Sequence, residues 1–257
     1  YFLRTANINS FFILTNIFYF FLVYCNNFRH LRLLDVLTDS MMFKAILFIF
    51  LNAVVLSTIS AQGVAIGEWR DHIPYTKAIS VVEAGDQIYC ATRYALFYFD
   101  KTDNSIHKLS KANGLSDFGV SALAYEPQSR TIIVAYTNSN IDIIQEDKIY
   151  NVPDLYRKTI IGDKSIKNIT IQNGYAYLAC GFGIVVLDPS KKIIKDSYFL
   201  GNEGNPIQVN DITFTDTQIV AATAMGLYMA DKYSPFLADY HQWSRDETMI
   251  YPNAKYN

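Results

Sequence analysis

The run Cys180-Gly-Phe-Gly-Ile-Val-Val186 places a Gly-x-Gly directly after an apolar stretch, as a dinucleotide site does to bring backbone close to a pyrophosphate. That chemistry needs a helix N-terminus after the glycines. Here a second strand-like run follows, so the segment reads as strand, turn, strand. In the loop Asp100-Lys-Thr-Asp-Asn-Ser105, residues Asp100, Asp103 and Asn104 have a spacing weakly like calcium ligation, but the composition is that of a hairpin turn. Downstream of residue 61 the histidines are His72, His107 and His241, far apart and without ligand spacing. Cys90 and Cys180 each fall inside an apolar run and read as buried small hydrophobes rather than a disulfide. There is no Gly-x-Ser-x-Gly elbow, and no nucleophile stands beside a plausible base. The expectation is therefore no catalytic, cofactor-binding or metal-binding residue, and no enzyme. Two aromatics in tight turns, Tyr94 and Phe182, have two readings: they line a face for a glycan or a partner, or they pack inside the fold.

The elements that must carry these residues repeat. Gln87–Asp100, Thr131–Gln145, Tyr175–Asp188 and Gln218–Asp231 align with one another, the second with one extra residue in its central turn. Anchored at Ile88, Ile132, Ala176 and Ile219, they recur at spacings of 44, 44 and 43 residues. Each reads as two strands around a turn, with an apolar strand before it (from Ile79, Val120, Ile166 and Val209) and a more polar strand after it, such as Ser105–Ser110 or Lys148–Pro153. Four antiparallel strands every forty-odd residues is the period of a propeller blade. Three residues after each anchor stands alanine: Ala91, Ala135, Ala179 and Ala222. A small side chain at a fixed place in a strand apolar on both faces marks where neighbouring sheets approach closely.

The fold class expected is all-β: a β-propeller fragment of about four four-stranded antiparallel blades, at residues 79–119, 120–165, 166–208 and 209–250 within 79–257. Residues 62–78 read as an N-terminal strand that closes the ring. Their Trp-bearing segment Gly67–Tyr75 has a partner in Tyr240–Glu247.

Before the repeats, Met41–Gly63 is built like a secretory signal peptide. It has a methionine pair, one lysine, the apolar run Ala45–Ile59 and a small-residue exit at Ala61, with cleavage expected between Ala61 and Gln62. Residues 1–40 read either as translated upstream sequence, favoured by the opening Tyr and the lack of Gly, Pro, Lys and Glu, or as an extra hydrophobic helix at Phe11–Cys25. Fifteen helical residues reach only about 22 Å, short of a bilayer core of roughly 30 Å. Removing residues 1–61 takes away Arg4, Arg29, Arg32 and Lys44 with Asp35 and Asp39, leaving 18 basic against 22 acidic residues. That balance gives no basic stripe for phosphate backbones, so nucleic acid is not an expected partner.

The blade pattern resembles the two-component-regulator propeller repeat. Thr92 and Thr223 match its Thr and Gly226-Leu227 its Gly-Leu, while Tyr89, Tyr177 or Val220 stands at its Trp and alanine at its Gly. "NGLSDFGVSALAY" (Asn113–Tyr125) matches the linker between such blades. Across roughly Ile66 to Asp231, "WRDHIPY", "DNSIHKLSKANGLSD", "NIDIIQ" and "CGFGIVVLD" are similar to the N-terminal propeller of the PorZ-like family of type IX secretion components. The resemblance implies a non-enzymatic scaffold at the outer-membrane surface, without cofactor. Its implied partners are a sortase and other attachment-complex proteins, with lipopolysaccharide as the cargo anchor. Related blades also serve as periplasmic sensors of hybrid histidine kinases, the alternative reading. A polysaccharide lyase would need an acid–base cluster that these residues do not supply.

Overall fold

Runs of Val, Ile, Tyr and Phe only five to seven residues long must find hydrogen-bond partners sideways, strand to strand. The computed structural model describes residues 72–146 and 148–248. Within them the strands form four antiparallel sheets of four, each a meander in chain order.

The first sheet is β1 (Ala78–Ala84), β2 (Gln87–Thr92), β3 (Leu96–Asp100) and β4 (Ser105–Leu109). The second is β5 (Val120–Glu126), β6 (Thr131–Tyr136), β7 (Ile141–Gln145) and β8 (Lys148–Val152). The third is β9 (Ile166–Gln172), β10 (Tyr175–Cys180), β11 (Gly183–Asp188) and β12 (Ile193–Tyr198). The fourth is β13 (Val209–Phe214), β14 (Gln218–Thr223), β15 (Gly226–Asp231) and the two-residue β16 (Ser244–Arg245). Turn chemistry sets the pairing. Between β9 and β10, Asn173 and Gly174 both take positive φ (50° and 80°), as a two-residue hairpin turn requires.

Alternation along the second strand of each sheet builds the same junction three times. Tyr89 and Ala91 of β2 join one core with Ile132, Val134 and Tyr136 of β6. Ile133 and Ala135 of β6 share a second core with Ala176, Leu178 and Cys180 of β10. Ala179 of β10 shares a third with Ile219 and Ala221 of β14. The first strands β1, β5, β9 and β13 lie one against the next, so the sheets converge on that side and fan outward: a propeller arc.

Of the four repeated alanines, Ala91 and Ala135 have no exposure and Ala179 has 1%. Ala222 is only half-buried, because no further sheet covers that face of β14 among the described residues. At the other end of the arc Val81 is 60% and Ile106 64% exposed, on the face of the first sheet that no neighbour covers. Tyr75 shields part of that face, edge-on to Phe97 at 6.2 Å with the Lys108 ammonium over its ring.

Residues 72–77 form no strand. A closing strand needs a third strand to pair with, and each described sheet already has its own fourth. Residues 62–71, the cleavage pair Ala61 and Gln62, and both readings of residues 1–40 lie outside the described residues. Among the described residues no helix is long and apolar enough to cross a membrane.

Candidate functional site

In a meander whose first strands converge, the second-to-third-strand turns and the linkers to the next sheet emerge at one end of the arc. The first-to-second and third-to-fourth turns emerge at the other. The linker end holds most of the polar organisation, and it is built on one position of the repeat. Four residues after each anchor stand Thr92, Tyr136, Cys180 and Thr223, all fully buried. Thr92 Oγ1 donates to the Ala95 carbonyl at 2.9 Å, and Thr223 Oγ1 to Gly226 at 2.7 Å, each closing a turn from within. Tyr136 does something different. Its hydroxyl donates at 2.6 Å to Asp142 Oδ2, a carboxylate with no exposure.

Asp142 also accepts from the Ser116 backbone N–H at 2.7 Å and from Asn151 Nδ2 at 2.9 Å. Ser116 lies in the linker from the first sheet and Asn151 in β8, so one carboxylate ties the linker to both sides of the second sheet. Burial, reinforced by the Asp142 charge, pushes the Tyr136 hydroxyl far above its usual range, so it stays a donor. Next to it, Asp117 accepts from Asn138 Nδ2. Its burial opposes the charge, but Asn138, the Phe118 N–H and Lys111 outweigh that and hold the carboxyl below its usual value. Lys111 lies over the Phe118 ring at 5.0 Å. Every strong group here is committed to another protein group. The arrangement orders loops and offers no free acid–base pair.

The next linker, residues 153–165, opens with one helical turn (Asp154–Arg157) that buries Leu155. Its last lysine organises it. Lys164 Nζ donates to the carbonyls of Tyr156 (2.8 Å), Lys158 (3.0 Å) and Leu155 (3.3 Å), taking up acceptors at that helical end. The loop leaves Tyr156 half-exposed and Ile161 89% exposed.

Each first strand also carries a β-bulge near its start, where the pairing register steps over Ile79, Ser121, Lys167 and Asn210. Bulges bend a strand and re-aim side chains, so four at one level shape the inner rim at the linker end. Asn168 and Asp211, each next to a bulge, join across the third and fourth sheets at 2.6 Å, and Ser121 Oγ is buried without a hydrogen-bond partner. Sequence reasoning missed these bulges because periodicity reads through a single extra residue.

The residues singled out for chemistry sit apart. Cys90 and Cys180 are free, buried and on different sheets, and burial raises both thiols. Asp100 Oδ1 accepts from the Thr102 N–H and hydroxyl, and Asp103 from the Ser105 N–H, so the carboxylates close the β3–β4 hairpin. Gly181 and Gly183 serve packing. A Cβ on Gly181 would fall 2.5 Å from the Asp163 carbonyl, and one on Gly183 (φ 153°) would fall 2.1 Å from the Tyr198 carbonyl. Phe182 is wholly buried, 5.3 Å from Phe199, so of the two turn aromatics only Tyr94, 47% exposed, faces solvent. Among the described residues no three His, Cys, Asp or Glu side chains gather where they could hold a metal.

These features define a β-propeller arc whose linker end is a set of loops tied down by buried polar groups. The family model described as "TSS9, PorZ, N-terminal beta-propeller domain" matches residues 88–244, and the chain belongs to that family. Among solved structures it is similar to PorZ, a surface component of the type IX secretion system of Porphyromonas gingivalis. The TM-score is 0.58 at 27% identity, over 65% of this chain and 22% of that one. The fold is also shared with the extracellular domain of a B. thetaiotaomicron protein. One structure, described as a hybrid two-component system, gives a TM-score of 0.53 at 17% identity over 66% of this chain and 23% of that one. Another, described as a one-component system, gives 0.52 at 13% over 71% and 24%. The chain spans about a fifth of the length of the solved PorZ chain. No curated protein sequence matches it.

Proposed function

We propose that this chain is the propeller part of a non-enzymatic scaffold of type IX secretion, exported and held at the outer-membrane surface. There it assists a sortase in processing and attaching secreted cargo. What carries the reading is the family match along residues 88–244, which reaches into all four described sheets and leaves β1 outside. The signal-like Met41–Gly63 supports export. At the linker end the polar groups are spent on ordering loops, which suits binding by shape more than bond-making. In this reading lipopolysaccharide is the anchor given to cargo, and no cofactor or nucleic acid takes part.

The alternative, the sensor propeller of a hybrid histidine kinase, draws on the likeness to the two-component extracellular domain, which is one of fold. Tagging the protein in its own bacterium separates the two. The scaffold reading expects the sortase to co-purify with it from outer-membrane extracts, and externally added protease to remove the tag from intact cells. A protease-shielded tag on a polypeptide that also carries a kinase core would overturn it.

A further inference from the structure

The third-to-fourth-strand connections are short in three sheets: Lys101–Asn104, residues 146–147, and Pro189–Lys192. In the fourth sheet the same connection runs from Lys232 to Trp243. Propeller repeats vary most where function is grafted on, so a lone insertion at a repeated position is informative.

The insertion is ordered by its own bonds. Lys232 Nζ donates to the Thr215 carbonyl at 2.8 Å and the Tyr233 hydroxyl to the Asp216 carbonyl at 3.3 Å, seating its base on the β13–β14 turn. Ser234 Oγ reaches Gln242 Oε1 at 3.0 Å, and the Asp239 N–H donates to the Phe236 carbonyl at 2.8 Å, closing the two limbs together. Leu237 and Trp243 are buried in the core between the third and fourth sheets, with Trp243 Nε1 on the Leu237 carbonyl at 2.9 Å. Against this rigid base the tip leaves Tyr233 72% and Phe236 67% exposed, with Pro235 between them.

Single exposed apolar residues are ordinary. Two aromatics on a tip whose conformation is fixed beforehand are not, because the ordering cost of binding has already been met and aromatics are the usual anchors of protein interfaces. The charge around them narrows the occupant. Asp216, Asp231 and Asp239 flank the tip. The Lys232 ammonium is spent on the Thr215 carbonyl and lies over the Tyr233 ring at 5.1 Å, and His241 is held by Asp239 at 2.8 Å. Anionic headgroups would be repelled by these carboxylates.

We propose that residues 232–243 form a protein-docking knob. Phe236 enters an apolar pocket of a partner protein, the exposed face of the seated Tyr233 ring packs against its wall, and lysines or arginines on the rim of that pocket meet Asp216, Asp231 and Asp239. This holds whether or not the partner belongs to a secretion machinery.

The test places a photo-crosslinking p-benzoylphenylalanine at position 236 of the full protein in cells, with position 94 as the control at the opposite end of the arc. The expected result is one protein adduct from position 236, absent from position 94. That protein, once purified, binds the unmodified chain more weakly as salt rises, and on the order of tenfold or more weakly to Tyr233→Ala/Phe236→Ala. Phe236→Lys, exposed and so compatible with folding, weakens binding as much while thermal midpoints stay unchanged. Adducts only to lipid or to a second copy of this chain, no adduct, or unchanged affinity of both variants would overturn the proposal.

Discussion

Tyr136 occupies the position that Thr92 and Thr223 fill in other blades, and its longer reach recruits Asp142, a carboxylate with no exposure and no cation beside it. Three donors converge on it, and removing it strands two of them, since Asn151 Nδ2 also donates to Asn140 Oδ1 and the Ile141 carbonyl. Asp142→Ala leaves the buried Tyr136 hydroxyl and the Ser116 N–H without an acceptor, and is expected to destabilise the fold by about 2–4 kcal/mol. A fall in the urea midpoint reads this out, whereas Asp142→Asn should cost less because it keeps an acceptor. Glu126 gives a pH dependence. It is 1% exposed and accepts from the N–H groups of Gln128 and Ser129 and from the Ser129 hydroxyl. Burial raises its pKa, the three bonds lower it by more, and the folded value lies below the ordinary 4.5. The unfolded chain therefore takes up the proton first. The contribution is complete above about pH 4.5 and is lost as pH falls through the folded value. Glu126→Gln should be less stable than the parent at neutral pH, with the gap closing as pH falls below the ordinary carboxylate range in thermal melts at stepped pH.

At the scale of elements, the recurring alanine is a spacing constraint whose strength depends on whether another sheet lies against it. Ala179→Leu drives a larger side chain into a junction that is 1% exposed and should cost about 1–3 kcal/mol. Ala222→Leu, half-buried on an uncovered face, should cost far less. Equal losses measured by denaturation would refute the junction as the cause. The period was legible in the sequence because every blade must present the same two faces to its neighbours, so Ala91, Ala135 and Ala179 recur at their spacing. Bulges at Ser121 and Lys167 were not legible, since one unpaired residue leaves the apolar pattern intact. Of the two readings open for Phe182, packing inside the fold is the one that holds, although a turn is usually exposed. Here Phe199, from the following linker, covers it. The Trp-bearing segment Tyr240–Glu247 was legible as an outer strand, but only Ser244–Arg245 pair. The rest belongs to the insertion, whose apolar residues Leu237 and Trp243 have no counterpart in the other blades to align with.

At the scale of the molecule, the four described sheets and the three equivalent junctions between them make a structure in which each blade leans on its neighbours. Trp243→Ala removes the largest plug of the junction between the third and fourth sheets, where it lies 6.1 Å from the Tyr198 ring. A loss of about 3–5 kcal/mol is expected. Hydrogen exchange should show it concentrated in β12–β16 rather than in β1–β4, and an even loss across all four sheets would contradict this nearest-neighbour picture. The fold itself leaves function open, since sensors and secretion components share these blades. Family membership is what favours a secretion role. The most direct measurement is cargo maturation in the bacterium that encodes this chain, after deletion of its gene and again after complementation. The account predicts that unprocessed cargo accumulates and surface-attached cargo falls on deletion, with both restored by the intact gene. Normal cargo maturation in the deletion strain, accompanied by altered transcription of a defined gene set, would contradict it and make the protein a sensor.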